Sequence, residues 1–282
     1  MKEREFISLC SEYFERTQYD QDYQDFNRIA LTYHSCRLEG LPYSQIDTMM
    51  ILNHAIYPDR EVSRHYITRV EDHHQALLTV LQNAEEKKPL TKDLIQDVSG
   101  QILKNESDVV RAIGGTFDPR IGEFRRCDVT YGVEPRRSGY DYNTVVGHTL
   151  ELMEEINERN QQLDGDIWKI NELAFETQMR LVTIHPFVNG NSRLSRLLMN
   201  YIQHYHQSPL SIVLLKDKPK YWEALYRSQE TRDPSYFQRF MMDQTFRFLK
   251  ARVRQCRPQK EIVFKTSSKR IVTPKTDTSL SR

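Results

Sequence analysis

The chain has 282 residues, with 40 Lys+Arg against 39 Asp+Glu and a formal net charge of +1. That balance excludes the large basic surplus of a dedicated nucleic-acid binder, and no apolar stretch approaches the roughly 18 residues a membrane span needs. Four scattered cysteines, Cys10, Cys36, Cys127 and Cys256, with no C-x-x-C pair, and a charged start without the apolar run of a secretory signal predict a reduced, cytoplasmic protein.

Gly and Pro are sparse, and most of the chain reads as helix. Phe26, Ile29, Ala30, Tyr33 and Arg37 form one stripe, ended by Glu39-Gly40-Leu41-Pro42, where Gly supplies a left-handed cap and Pro cannot continue. Val62, Tyr66, Val70, His73, Leu77 and Val80/Leu81 form the next. Thr91 caps a helix carrying Leu94, Ile95, Val98 and Ile102. Residues 113–139 break the pattern with five of the ten glycines, and Arg125–Tyr131 reads as a short strand there. Such a loop is where a helical scaffold places substrate contacts. Leu152, Met153, Ile156 and Leu163 mark another helix, and Ile167–Ile184 is strongly apolar at helical spacing. From Lys250 to Arg282 ten Lys/Arg face two Asp/Glu, so this end carries +8 and the rest about −7. It reads as a basic, solvated tail, with a short hairpin around Ser267-Ser268 as the alternative.

The chemistry concentrates in His185-Pro-Phe-Val-Asn-Gly-Asn-Ser-Arg-Leu-Ser-Arg196. Pro186 drives His185 out of the α region to a loop entrance. Asn189-Gly190-Asn191 reads as a turn into a helix that buries Leu194, Leu197, Leu198, Tyr201 and Ile202. Arg193 and Arg196, three apart, share the opposite face. A turn, a helix start with free N–H groups and two guanidiniums make a phosphate cradle, and a histidine beside it is a candidate general base. No Walker P-loop, dinucleotide fingerprint or HExxH motif occurs.

This segment resembles the Fic family signature, H-x-F-x-[D/E]-G-N-[G/K]-R-x-x-R, through His185, Phe187, Gly190, Asn191, Arg193 and Arg196. The resemblance extends over roughly residues 25 to 245. It implies an all-α fold with a short β-hairpin flap, and transfer of AMP from ATP, with Mg2+, onto a Ser, Thr or Tyr hydroxyl of a target protein whose identity the sequence does not give. Self-modification is included. By the same resemblance His185 deprotonates the hydroxyl, Phe187 anchors the loop, Gly190 and Asn191 hold the α-phosphate, and Arg193 and Arg196 hold the outer phosphates. Asn189 stands where the family has its acidic Mg2+ ligand. It brings no charge, so Asn189→Asp is expected to raise activity or lower the Mg2+ required. Ser192 replaces the family's Gly or Lys and offers a hydroxyl to phosphate.

Ser35-Cys-Arg-Leu-Glu39-Gly40 resembles the family's inhibitory signature, [S/T]-x-x-x-E-[G/N], and implies that Glu39 pairs with Arg196 and denies it to the γ-phosphate. Gly122-Glu-Phe-Arg125 through Val129-Thr130-Tyr131-Gly132 is similar to the family's flap, which holds the target by adding its backbone as a strand. Tyr221-Trp222 resembles the aromatic step beside the adenine. The implied division is an N-terminal helical region, 1–90, with an inhibitory helix near 25–40; a catalytic core, 91–250, with its flap near 113–139; and the tail, 251–282. Two other functions remain open at this point. One is removal of AMP, or transfer of another phosphate-bearing group, at the same site. The other is nucleotide binding with catalysis lost through Asn189.

Overall fold

A computed structural model describes residues 2–17, 21–54 and 64–255. Cys256, the basic tail and its hairpin lie outside the described residues, as does Val62. In chain order the helices are α1 (Glu3–Thr17), α2 (Gln21–Leu38), α3 (Gln45–Leu52), α4 (Arg64–Glu85), α5 (Lys92–Leu103), α6 (Val145–Gln161), α7 (Ile167–Ile184), α8 (Asn191–Tyr205), α9 (Lys218–Thr231) and α10 (Ser235–Gln255). Two antiparallel hairpins lie between α5 and α6: β1 (Val110–Ala112) with β2 (Gly115–Phe117), and β3 (Thr130–Tyr131) with β4 (Arg137–Ser138). No helix among the described residues is long and apolar enough to cross a membrane.

The caps follow the sequence. Thr91 Oγ1 accepts the Leu94 N–H at 3.2 Å, satisfying a donor that the first turn of α5 leaves free. Asp166 does the same for Trp168 and Lys169 at the start of α7. At the end of α2, Gly40 takes φ +93°, and Leu41 N–H reaches back to Cys36 O.

α8 is the centre of the molecule. It packs along α7 and α4, and α5 and α2 close the remaining sides. Every residue from Arg193 to Gln203 is therefore buried, the face that carries Arg193 and Arg196 included. Arg193 and Arg196 lie inside, where each needs a counter-charge or hydrogen bonds. Gln203 meets the same requirement with Asn171 and Ser211, each at 2.7 Å.

The region from 113 to 139 also differs from expectation. One flap was expected, with a strand over Arg125–Tyr131; instead there are two hairpins, and only Thr130 and Tyr131 of that run are strand. The reason is Arg125. Its N–H bonds to Pro186 O at 3.1 Å and its buried guanidinium donates to the carbonyls of His185 and Cys127. The run before β3 is bound to the His185 loop and has no free ladder to offer.

Candidate active site

His185 follows α7 directly, at φ +58°, ψ +59°. It has left the right-handed α region, as Pro186 requires, but into the left-handed region rather than extended backbone. Its N–H still closes on Leu181 O at 3.0 Å, so the residue caps α7 and turns the chain at once. The ring Nδ1 lies 3.0 Å from Val182 O. A carbonyl only accepts, so Nδ1 carries the proton and Nε2 keeps its lone pair. The ring stacks on Tyr131 of β3, with centroids 4.4 Å apart and 11° between planes. Burial to 7% exposure pushes its pKa down to about 4; the Val182 hydrogen bond opposes this and the nearby Arg125 charge adds to it. His185 is thus a neutral, pre-oriented base at neutral pH.

Pro186 to Gly190 returns the chain to α8. Phe187 is fully buried and stacks on Phe124 at 5.0 Å, which pins the loop to the core. Asn191 Oδ1 accepts the Phe187 N–H at 2.9 Å and its Nδ2 donates to Phe187 O at 2.7 Å. Its side chain therefore shapes the loop, leaving its backbone N–H for an anion. Gly190 has φ +76°, and a Cβ there would press on Ile102 and Leu103 at 3.2 Å. Leu194 is the first residue of α8 to bond backward, to Gly190 O. The N–H groups of Asn191, Ser192 and Arg193 have no acceptor within the helix.

The arginines are held by acids from distant elements. Arg196 donates from Nε to Ser35 Oγ at 2.9 Å, and from Nη2 to Ser35 O at 3.2 Å and to Glu39 Oε1 at 2.8 Å. The Glu39 side chain is 26% exposed. Burial works to raise its pKa, but the charges of Arg196 and Arg193 outweigh it and hold the carboxyl below its usual range. Arg193, 1% exposed, donates from Nη1 to Glu106 Oε2 at 2.6 Å, while its Nε has no hydrogen-bond partner. Arg69 forks onto both oxygens of Glu106 at 2.7 and 2.9 Å. Asn189 Nδ2 donates to Glu106 Oε1 at 3.1 Å, and its Oδ1 accepts the Gly190 N–H at 2.8 Å.

A cleft of about 930 Å³, its open mouth included, opens beside Glu39 and Asn189; Arg193 and Arg196 lie buried behind its lining, Arg196 facing a small separate cavity with Ser35. The cleft lining includes Glu39, Thr130–Gly132, His185, Asn189–Ser192, Lys218 and Trp222. Of the residues singled out in the sequence, Ser35, Val129, Arg193, Arg196 and Tyr221 do not line this cleft, and Tyr221 departs furthest from its expected place. It is 1% exposed, receives a hydrogen bond from Gln178 at 3.2 Å and packs on Phe237, so it is core. Val129 props the flap base, its carbonyl accepting the Gly139 N–H at 3.0 Å. Gly132 takes φ +88°, where a side chain is strained, and a Cβ there would fall 1.9 Å from Tyr226 Oη, which would have to shift. Sequence reasoning passed over Glu106 and Arg69, whose partners are far along the chain. It also passed over Lys218, whose Nζ caps the C-terminal carbonyl of α2, Leu38 O, at 2.7 Å.

The Fic/DOC family model matches residues 89–203, from the approach to α5 through the body of α8. The chain carries a Fic/DOC domain. Protein adenylyltransferase Fic of Aedes aegypti is 28% identical over 218 residues, 77% of this chain and 40% of that protein. The Drosophila melanogaster protein of the same name is 30% identical over 216 residues, 76% of this chain and 39% of that one. The chain thus spans about two fifths of the length of these relatives. A Fic-domain signalling protein of Bacteroides thetaiotaomicron superposes with a TM-score of 0.75 at 21% identity, covering 89% of this chain and 97% of that one. Fic-1 of C. elegans does so at 0.66 and 20% identity, covering 89% of this chain and 72% of that one. The chain therefore shares the fold of these two solved structures, and it is helical, as expected.

Proposed function

We propose that this Fic-domain chain transfers AMP from ATP onto a Ser, Thr or Tyr hydroxyl of a protein, and that Glu39 holds it in a resting state. The observation that supports this most is that one cleft is lined by His185, the Asn189–Ser192 turn and Glu39. The hydroxyl oxygen attacks the α-phosphorus, its proton passes to His185 Nε2, the bond to the β-phosphate oxygen breaks, and pyrophosphate leaves. Backbone N–H groups at the start of α8 receive the charge that builds on the phosphate oxygens. Arg193 and Arg196 attract the outer phosphates, Trp222 lies beside the base, and the edge of β3 takes an extended target segment. In the resting state Glu39 neutralises Arg196 and occupies the place of the γ-phosphate.

The donor set at the turn does not fit a resident metal. Asn189 Oδ1 already accepts from Gly190, Glu106 is engaged by two arginines, and among the described residues no three His, Cys, Asp or Glu converge. Adenylyl transfer uses ATP with a divalent ion, and in this reading Mg2+ arrives as part of that substrate.

The test is Glu39→Gly protein incubated with ATP labelled on the α- or on the γ-phosphate. The α label should become covalently attached to protein and the γ label should not. Attachment of the γ label would replace this reading with phosphoryl transfer.

A further inference from the structure

Glu106 has no part in the reaction as proposed, yet it touches two groups of the site. It sits in the loop after α5, its side chain 8% exposed against 26% for Glu39. One oxygen takes Arg193 at 2.6 Å and the other takes Asn189 at 3.1 Å. The Arg69 fork fixes the plane of the carboxylate, and such bidentate pairs are rigid as well as strong. Arg193 is consequently held by one edge only, with Nε buried and unpartnered. Glu39, by contrast, faces the open cleft and is held by Arg196 alone among the contacts described above.

Position 189 follows from the same geometry. The amide of Asn189 is the right partner for Glu106 because it donates. A carboxylate there would set two negative oxygens about 3 Å apart, so the exposed side chain would turn away from Glu106 and the hydrogen bond would be lost.

We infer that Glu106 is a positioning residue of the phosphate side: it aims Arg193 and, through its hydrogen bond from Asn189, holds the turn beside it. Glu106 and Asn189 are thus a matched pair, acid and neutral amide. This rests on the adenylyl-transfer reading only for the identity of the ligand. It reverses the expectation that Asn189→Asp improves the site.

The test uses four proteins on a Glu39→Gly background: the parent, Glu106→Gln, Asn189→Asp and the double variant. ATP and AMP are titrated calorimetrically with a chelator present, and Tm is measured without nucleotide. Each single variant should weaken ATP about tenfold or more, leave AMP within about twofold, and lower Tm. The double variant exchanges acid and amide within the pair, so that their hydrogen bond can re-form, and should recover ATP binding to within about threefold of the parent, and most of the Tm. Additive losses in the double variant would overturn the pairing. Tighter ATP binding by Glu106→Gln would make Glu106 a second latch, and equal loss of ATP and AMP would make it scaffold; either overturns the inference. If the parent binds no ATP, the proposed function falls, and the Tm cycle alone decides: non-additive supports the pair and additive overturns it.

Discussion

Two arginines one turn apart on α8 differ in what holds them, and His185 differs from both in being held without a counter-charge, by two backbone carbonyls, the Arg125 guanidinium and the Tyr131 ring. Val182 O fixes its tautomer, Leu181 O its backbone, and Arg125, through the carbonyl of His185 itself at 2.7 Å, the turn it sits on. None of these contacts involves the nucleotide side of the cleft. On the Glu39→Gly background, His185→Ala should therefore lower transfer by about 10²-fold or more, as loss of a general base does, while ATP affinity changes less than about threefold. Single-turnover labelling and calorimetry measure the two separately. Loss of both together would mean that His185 shapes the nucleotide site rather than moving a proton.

At the scale of elements, the site is the place where α7, α8, α5 and the second hairpin meet. Gly122 is the joint between α5 and that hairpin. It has φ +73°, and a Cβ would lie 1.8 Å from the carbonyl oxygen of Gln96, whose side chain donates back to Gly122 O at 2.9 Å. The neighbour is backbone and cannot swing aside. Gly122→Ala should cost about 2 kcal/mol or more, a Tm loss of roughly 4–8 °C in a chain of this size. Through Phe124 and Arg125 it should also lower transfer. Thermal unfolding and the labelling assay check both; a Tm within about 1 °C of the parent would show that the joint yields.

Helices such as α5 and α7 were legible because an apolar stripe and a capping oxygen are local: Thr91 and Ile167–Ile184 stand where expected. The turn at 185–191 was legible for the same reason. The burial of Arg193 and Arg196 was not, because polar residues opposite an apolar stripe ordinarily face water, and only the packing of α2 and α4 covers them. Glu106 and Arg69 were illegible because their contacts with the loop and with α8 join residues dozens of positions apart, as in the pair of Arg193 with Glu106. Arg125 was read only as part of a strand, since nothing local shows that its guanidinium will be buried among carbonyls.

Over the whole molecule, histidines gather where α2 meets α4 and α8, and burial shifts them the same way. His34 falls to about 4, with burial the first cause and Arg252 and Lys216 adding to it. Burial also lowers His73, with the Arg193 and Arg196 charges adding, and lowers His74, with Arg28 adding. Each is neutral in the fold and protonates readily once unfolded. As pH falls below about 6.5 the unfolded chain binds protons that the native one refuses, so stability is full above that pH and declines toward pH 4. His185 alone should contribute a slope of up to about 1.4 kcal/mol per pH unit across that window. Denaturant midpoints at pH 7, 5.5 and 4.5 check it, and a flat profile would contradict the burial argument.

The same junction carries the central claim, that α2 rests on α8 through Ser35 and Glu39 and thereby silences Arg196. Releasing Glu39 should free the guanidinium, at a loss of about 1–2 kcal/mol of stability from the broken charge-assisted contact. The most direct measurement is mass spectrometry of covalently bound AMP on four proteins incubated with ATP and Mg2+: the unaltered chain, Glu39→Gly, Arg196→Ala, and Glu39→Gly with Arg196→Ala. AMP is expected on the Glu39→Gly protein or an added target, with little on the unaltered chain and none on either protein lacking Arg196. Equal modification by the unaltered chain, or modification by the double variant at the level of Glu39→Gly, would contradict it.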